Sequence, residues 1–189
     1  MQEIEFKFQV PVKKRKALQK AFTLLKAEPI HLAAQYFDTA DQTLAKHCIA
    51  IRRRQENDEW KQTFKAVNSA KVLSRLELEF DIAPPETTTL DLDNYKKDYS
   101  AIYKKLKRAL GLPLPTLELL FETNIQRLRV LQDVGSSTVE IALDIGKIFK
   151  EQNSVDIFEI EFELKQGSIE DLIAFIQPWI QKYQLSLDT

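Results

Sequence analysis

The sequence predicts an α+β fold built on a mainly antiparallel sheet. Two observations lead there. Apolar and ionisable residues alternate with a period of two in segment after segment, which is the signature of strands with unlike faces. Stretches with helical spacing are few, so the order reads β-α-β-β-β-β-α-β-β-β-α.

The first segment, MQEIEFKFQV, sets Glu3, Glu5 and Lys7 on one face and Ile4, Phe6 and Phe8 on the other, and Pro11 ends it. Val12 to Ala27 predicts a helix with Leu18, Ala21, Phe22 and Leu25 on its apolar side. Tyr36 to Thr39 reads as a short strand. Cys48 to Gln55 then places Arg52 and Arg54 opposite Ile49 and Ile51. Trp60 to Val67 aligns Lys61, Thr63 and Lys65. Arg75 to Ile82 aligns Arg75, Glu77, Glu79 and Asp81 against Leu76, Leu78 and Phe80, and Pro84-Pro85 closes the run. A second helix is expected over Asn94 to Leu110, stopped by Gly111 and Pro113. Strands follow at Leu117 to Gln132, Thr138 to Ile145 and Asp156 to Lys165. The last helix starts at a Ser168 cap with Glu170 and Asp171 in its first turn, and Pro178 is expected to bend or split it.

Composition removes several function classes. The chain has 189 residues and a formal net charge of -1, so it exerts no global pull on nucleic acid or acidic membranes. Cys48 is the only cysteine, which excludes an intrachain disulfide, and with His31 and His47 it makes no zinc site. No apolar run approaches the roughly 20 residues that span a bilayer, and a charged alternating segment stands where a signal peptide would begin. The expected compartment is the cytoplasm. Four glycines supply neither a Walker loop nor a dinucleotide fingerprint. Any phosphate must be held by side chains.

The charged rows themselves need a physical reason. Glu159, Glu161 and Glu163 put like charges about 7 Å apart on one face of a strand. Such repulsion requires compensating cations. A closed barrel with a charged lumen supplies them, its apolar faces turned outward and covered by helices. Acidic rows of hard oxygen ligands suit Mg²⁺ or Mn²⁺. Convergent Arg and Lys suit phosphoryl oxygens.

At these residues the chain resembles the CYTH superfamily, the triphosphate tunnel metalloenzymes. Glu3-Ile4-Glu5-Phe6-Lys7 matches the amino-terminal E-x-E-x-K signature. Tyr36-Phe37-Asp38-Thr39, the R-x-R of Arg52 and Arg54, the T-x-K of Thr63 and Lys65 and the R-x-E of Arg75 and Glu77 follow in family order. So do Gln126-Arg127, the aspartate strand Glu140 to Asp144, and Glu159-Ile160-Glu161-Phe162-Glu163. VEIALDIG and FEIEFELKQG look most like bacterial inorganic triphosphatases, whose CYTH domain is followed by a helical CHAD domain.

The resemblance implies metal-dependent hydrolysis of a linear triphosphate inside the tunnel. Lys7, Arg52, Arg54, Lys65, Arg75 and Arg127 are the expected phosphate-binding residues. Glu3, Glu5, Asp144, Glu159 and Glu161 are the expected ligands of Mg²⁺ or Mn²⁺, with Glu163 as the second choice. Glu5, Lys65 and Arg127 are expected to act in catalysis. Glu79 and Asp81 are candidates for the rim as much as for the lumen, Arg53 and Lys61 are expected outside or in solvent, and Trp60 and Trp179 in packing. Tyr36 is a candidate for positioning an organic group. Thiamine or nucleoside triphosphatase, class IV adenylate cyclase, and a polyphosphate-binding module without catalysis are the alternatives. The family's final strand, with its Ser-Lys and Gly-Tyr, does not follow Leu185-Ser186-Leu187. The chain is therefore expected to be one CYTH domain over residues 1–189, the amino-terminal part of a longer protein.

Overall fold

A computed structural model describes residues 4–67, 75–90, 92, 95–96 and 99–188. These residues form ten strands and four helices. The elements are β1 (Glu5–Gln9), α1 (Val12–Leu24), β2 (Glu28–Asp38), α2 (Thr43–Lys46), β3 (Ile49–Glu56), β4 (Glu59–Val67) and β5 (Arg75–Ile82). Then come β6 (Thr89–Leu90), α3 (Ser100–Leu110), β7 (Leu117–Val134), β8 (Ser137–Lys150), β9 (Asn153–Gln166), α4 (Ile169–Tyr183) and β10 (Ser186–Leu187). The fold is α+β and its sheet is mostly antiparallel. Among the described residues no helix is long and apolar enough to cross a membrane.

The chain divides into two compact units. One holds Ala33–Thr123 and Phe149–Asn153; the other holds Glu3–Leu32, Asn124–Ile148 and Ser154–Thr189. The long strands β2 and β7 contribute to both.

In the unit containing β3 and β4, the two strands meet through the short Asn57-Asp58 connection, where Asn57 adopts a left-handed φ of 54°. That turn fixes the register: Arg52 faces Thr63, Arg54 faces Lys61, and on the other side of β4 Lys65 faces Glu77 and Thr63 faces Glu79. The alternate residues Ile49, Ile51, Phe64 and Ala66 are buried with Leu44 of α2, Ile102 and Leu106 of α3, and Tyr95. Burial pushes the Tyr95 phenol up to about 12, and its hydroxyl accepts from Gln62 at 2.9 Å.

In the unit containing β1, β8 and β9, β1 runs antiparallel to β9 with Lys7 opposite Glu161 and Glu5 opposite Glu163. The apolar alternates Phe8, Ile160 and Phe162 pack with Leu18 and Phe22 of α1 and with Leu172, Ile176 and Tyr183 of α4. Full burial of each large side chain contributes about 1.5–3 kcal/mol. In both units, then, helices cover the apolar side of the strands and the charged rows lie on the other side.

Several boundaries differ from the expectation. The strand expected at Tyr36–Thr39 begins at Glu28, because Ile30, Leu32 and Ala34 already alternate inward. Helix α1 ends at Leu24 rather than Ala27, with Lys26 in a left-handed turn. Helix α3 begins at Ser100; of the earlier segment Tyr95 and Lys96 are helical, while Asn94 lies outside the described residues. Ser168 caps α4 as expected, accepting from the Asp171 amide at 3.2 Å. Pro178 does not split that helix. It lies on the exposed side, as does Ala174 one turn earlier, so the carbonyl left without a donor is near water. Ser186-Leu187 forms a strand after the last helix after all, pairing antiparallel with Phe8 and Gln9 of β1.

Candidate functional site

In the unit containing β1, five of the predicted site residues form one connected network. Arg127 of β7 grips Asp144 of β8 with both ends of its fork, Nε to Oδ1 at 2.7 Å and Nη2 to Oδ2 at 2.6 Å. The same Nη2 donates to Oε2 of Glu161 on β9 at 2.6 Å. The other oxygen of Glu161 takes the ammonium of Lys7 at 2.7 Å, and Lys7 also reaches Glu159 at 3.3 Å. Gln9 completes the row by donating to Glu159 at 2.9 Å. Period-two alternation brings Lys7 and Gln9 to one face of β1, and Glu159 and Glu161 to one face of β9. The antiparallel register sets them opposite.

The electrostatics follow from this geometry. Burial works against the Glu161 carboxylate, but Arg127 and Lys7 outweigh it and hold its pKa at about 2. Burial likewise opposes the charged forms of Lys7 and Arg127. The carboxylates at their sides win, and both cations are held above their ordinary values. Asp144 is only 3 % exposed, so this is a nearly dry ion cluster. Breaking one member of such a cluster costs about 3–5 kcal/mol, because the rest keep uncompensated charge.

A neighbouring group surrounds Glu140, with Arg129 at 3.9 Å and Lys165 at 3.8 Å. Lys165 also pairs with Glu163 at 2.7 Å. Glu163, the second-choice ligand, thus has its own cation, and it stands opposite Glu5 of β1. Glu5 is half-buried. Glu3 lies outside the described residues.

The unit containing β3, β4 and β5 holds the other predicted cations. Glu79 is its hub: Oε2 takes Arg54 at 3.2 Å and the Thr63 hydroxyl at 3.1 Å, and Oε1 takes Lys61 at 3.6 Å. Arg54 and Lys61 are like charges directly opposite each other, and this carboxylate makes the pairing tolerable. Burial opposes the charge on Glu79, but Arg54 and Thr63 prevail and keep its pKa below the ordinary glutamate value. Lys65 pairs with Glu77 at 3.1 Å. Arg75 is placed in β5, opposite Val67, and its side chain lies outside the described residues.

Arg52 behaves differently. Its hydrogen-bond partners among the described residues are hydroxyls: Nη1 donates to Tyr36 Oη at 3.3 Å and Nε to Thr63 Oγ1 at 3.4 Å, while the Glu77 and Glu79 carboxylates act on its charge at longer range. Tyr36 in turn stacks on Phe121, with ring centroids 4.4 Å apart and an interplanar angle of 16°.

Strand register decides the part that some of these residues play. Lys61, expected outside or in solvent, joins the charged row through Glu79. Glu79, a candidate for the rim, is that row's hub. Arg53 is where expected, on the opposite face, over the Phe37 ring at 5.1 Å and donating to the Thr87 carbonyl. Thr63 stood inside the T-x-K pattern, but its part as a shared partner of Arg52 and Glu79 depends on strand register. Asp38 of the second-strand motif has a structural role. It is 4 % exposed and accepts from the amides of Thr39, Leu44 and Ala45, closing the turn into α2.

Whether this chain suits a divalent ion can be tested on its donors. Among the described residues no three His, Cys, Asp or Glu side chains are grouped to hold one. Asp144 and Glu161 nevertheless converge on a single cationic nitrogen, each within 2.6 Å. Mg²⁺ is commonly held by one or two carboxylates, with water and substrate phosphate filling the other positions. The donor chemistry therefore fits a hard ion.

A family model for the CYTH domain matches residues 1–188. The chain belongs to the CYTH family. An inorganic triphosphatase of Haemophilus influenzae is 34% identical to this CYTH chain over 185 residues, covering 94% of the chain and 49% of the relative. The chain thus spans about half the length of that curated relative. Among solved structures, a Bacillus halodurans protein described as a candidate adenylate cyclase superposes with a TM-score of 0.66 at 21% identity, covering 99% of this chain and 92% of the other. A Hippeastrum protein, described as a candidate adenylyl cyclase with a dominant triphosphatase activity, gives 0.60 at 18% identity, covering 98% and 90%. At such identities these structures share the fold of this chain.

Proposed function

We propose that this CYTH chain hydrolyses inorganic triphosphate to pyrophosphate and phosphate with Mg²⁺ or Mn²⁺. The observation that carries the reading is the convergence of Asp144 and Glu161 on one cation, with Lys7 on the other oxygen of Glu161. Carboxylates and cations interleaved in this way suit a site that takes a polyanion and a metal ion together.

When bound, the divalent ion offsets phosphate charge and orients an attacking water. Asp144 and Glu161 would hold it, with Glu3, Glu5 and Glu159 completing the set. Arg127 must release one of its carboxylates to make room, which frees guanidinium donors for a phosphate oxygen. Lys7, Arg52, Arg54, Lys65 and Arg75 hold further phosphate oxygens. Glu5, Lys65 and Arg127 act at the reacting phosphoryl group. The water oxygen bonds to a terminal phosphorus, the bond to the bridging oxygen breaks, and pyrophosphate leaves. A carboxylate accepts the water's proton. Closure of the strands into a tunnel, a single CYTH domain, a CHAD domain in the full-length protein and a cytoplasmic location belong to the same reading.

The test is phosphate release from tripolyphosphate, ATP and thiamine triphosphate with Mg²⁺ or Mn²⁺, for the wild type and Glu5→Gln. Preference for tripolyphosphate, lost in the variant and in EDTA, supports the proposal. Preference for an organic triphosphate moves the chain to another activity of the superfamily. Tight tripolyphosphate binding without turnover makes it a binding module.

A further inference from the structure

We infer that Tyr36 is a positioning residue that holds Arg52 ready for a phosphate oxygen. The inference rests on the triphosphate reading above and adds a residue to it. Arg52 differs from Arg127. The latter is saturated by two carboxylates, whereas the hydrogen-bond partners of Arg52 among the described residues are two neutral hydroxyls, with the Glu77 and Glu79 carboxylates acting on its charge at longer range. A guanidinium paired with carboxylates must exchange them for phosphate. One bonded to hydroxyls keeps its remaining N–H groups for an incoming anion without first giving up a carboxylate fork. A long arginine side chain left to itself would lose rotamer freedom on meeting that anion. Tyr36 restricts that freedom in advance. Its ring is fixed against Phe121, so its hydroxyl is a rigid acceptor for Nη1, while Thr63 fixes Nε from the neighbouring strand. Two bonds at different nitrogens define the plane of the fork. Having accepted from Arg52, the Tyr36 hydroxyl still has its own proton to donate.

The experiment uses Tyr36→Phe, which keeps the ring and removes the hydroxyl. In ligand-free protein the Arg52 Nε–H signal, assigned with Arg52→Lys, should shift or broaden in Tyr36→Phe while the backbone amide spectrum stays in place. Calorimetry with inorganic tripolyphosphate and Mg²⁺ should then show roughly fivefold weaker binding, the scale of one hydrogen bond. An unchanged Arg52 signal or unchanged affinity overturns the inference and leaves the functional reading standing. Wild-type protein that neither binds nor hydrolyses tripolyphosphate overturns the functional reading, and with it the purpose assigned to Tyr36, even if the signal moves.

Discussion

Arg127 and Glu161 show how much depends on single side chains. Arg127 meets Asp144 with a planar two-bond fork, a geometry a lysine ammonium cannot reproduce. Arg127→Lys keeps the charge, so the carboxylates stay compensated and the fold should hold. Loss of charge-assisted hydrogen bonds should still lower kcat/KM for tripolyphosphate about tenfold or more. A steady-state assay with a melting curve checks this, and an unchanged kcat/KM would remove Arg127 from the reaction. Glu161 makes a pH prediction. Its folded pKa of about 2 lies below the ordinary 4.5. The native state therefore favours its charged form, and the stability this gives is fully present above pH 4.5. It is lost as pH falls toward 2, where folded and unfolded chains both take up the proton. Urea unfolding in metal-free buffer should find Glu161→Gln less stable than wild type at pH 7, with the gap closing between about pH 4.5 and 2. At this scale the sequence named the participants and missed the pairings. The alternation in FEIEFEL places Glu159 and Glu161 on one face. That Glu161 shares its two oxygens between Lys7 and Arg127 follows from which strands are neighbours, and a local pattern carries no such information.

Elements were legible where the contrast between faces was strong. β1, β3 and β9 alternate large apolar residues with charges, and their positions match the expectation within a few residues. β2 starts earlier than its sequence pattern signals, because its inward positions Ile30, Leu32 and Ala34 alternate with Ala33 and follow Pro29, which blurs the contrast between faces. The four-residue α2 has no periodicity to read; it exists because buried Asp38 satisfies the amides that start it. Gly146 shows what a strand glycine can be for. In β8 it lets the backbone of β7 approach closely, and a Cβ there would overlap the Asn124 carbonyl oxygen and lie 2.8 Å from Ile125 Cα. Both obstacles are backbone and cannot rotate away. Gly146→Ala should therefore destabilise by about 1–3 kcal/mol, although alanine is ordinarily the better strand residue. Denaturant unfolding measures it. A neutral or stabilising result would mean that β7 and β8 tolerate a wider spacing here than their contacts indicate.

For the whole molecule, a net charge of -1 reflects local compensation rather than a scarcity of charge. Lys7 and Arg127 offset part of the charge on Asp144, Glu159 and Glu161, and Arg54 and Lys61 meet on Glu79. These ion pairs compensate charge in the ligand-free chain, and the proposed ligands replace some of them. Triphosphate alone brings anions to cations of which Lys7, Arg54, Lys65 and Arg127 already have carboxylates, and a metal ion alone meets carboxylates that already have cations. Both together satisfy the two sets at once, so each should bind better in the presence of the other. A ligand that binds only the folded chain stabilises it by RT ln(1 + [L]/Kd), about 2.7 kcal/mol at a hundredfold excess over Kd. For a chain of this length one kcal/mol raises Tm by about 2–4 °C. Tripolyphosphate with Mg²⁺, read at once in a fast scan or with the inactive Glu5→Gln variant, should raise Tm by roughly 5–10 °C. Tripolyphosphate in EDTA, or Mg²⁺ alone, should each give a smaller rise, their sum falling short of the joint effect. Strictly additive shifts would show that the two ligands bind independently, and the exchange assigned to Arg127 would then be wrong.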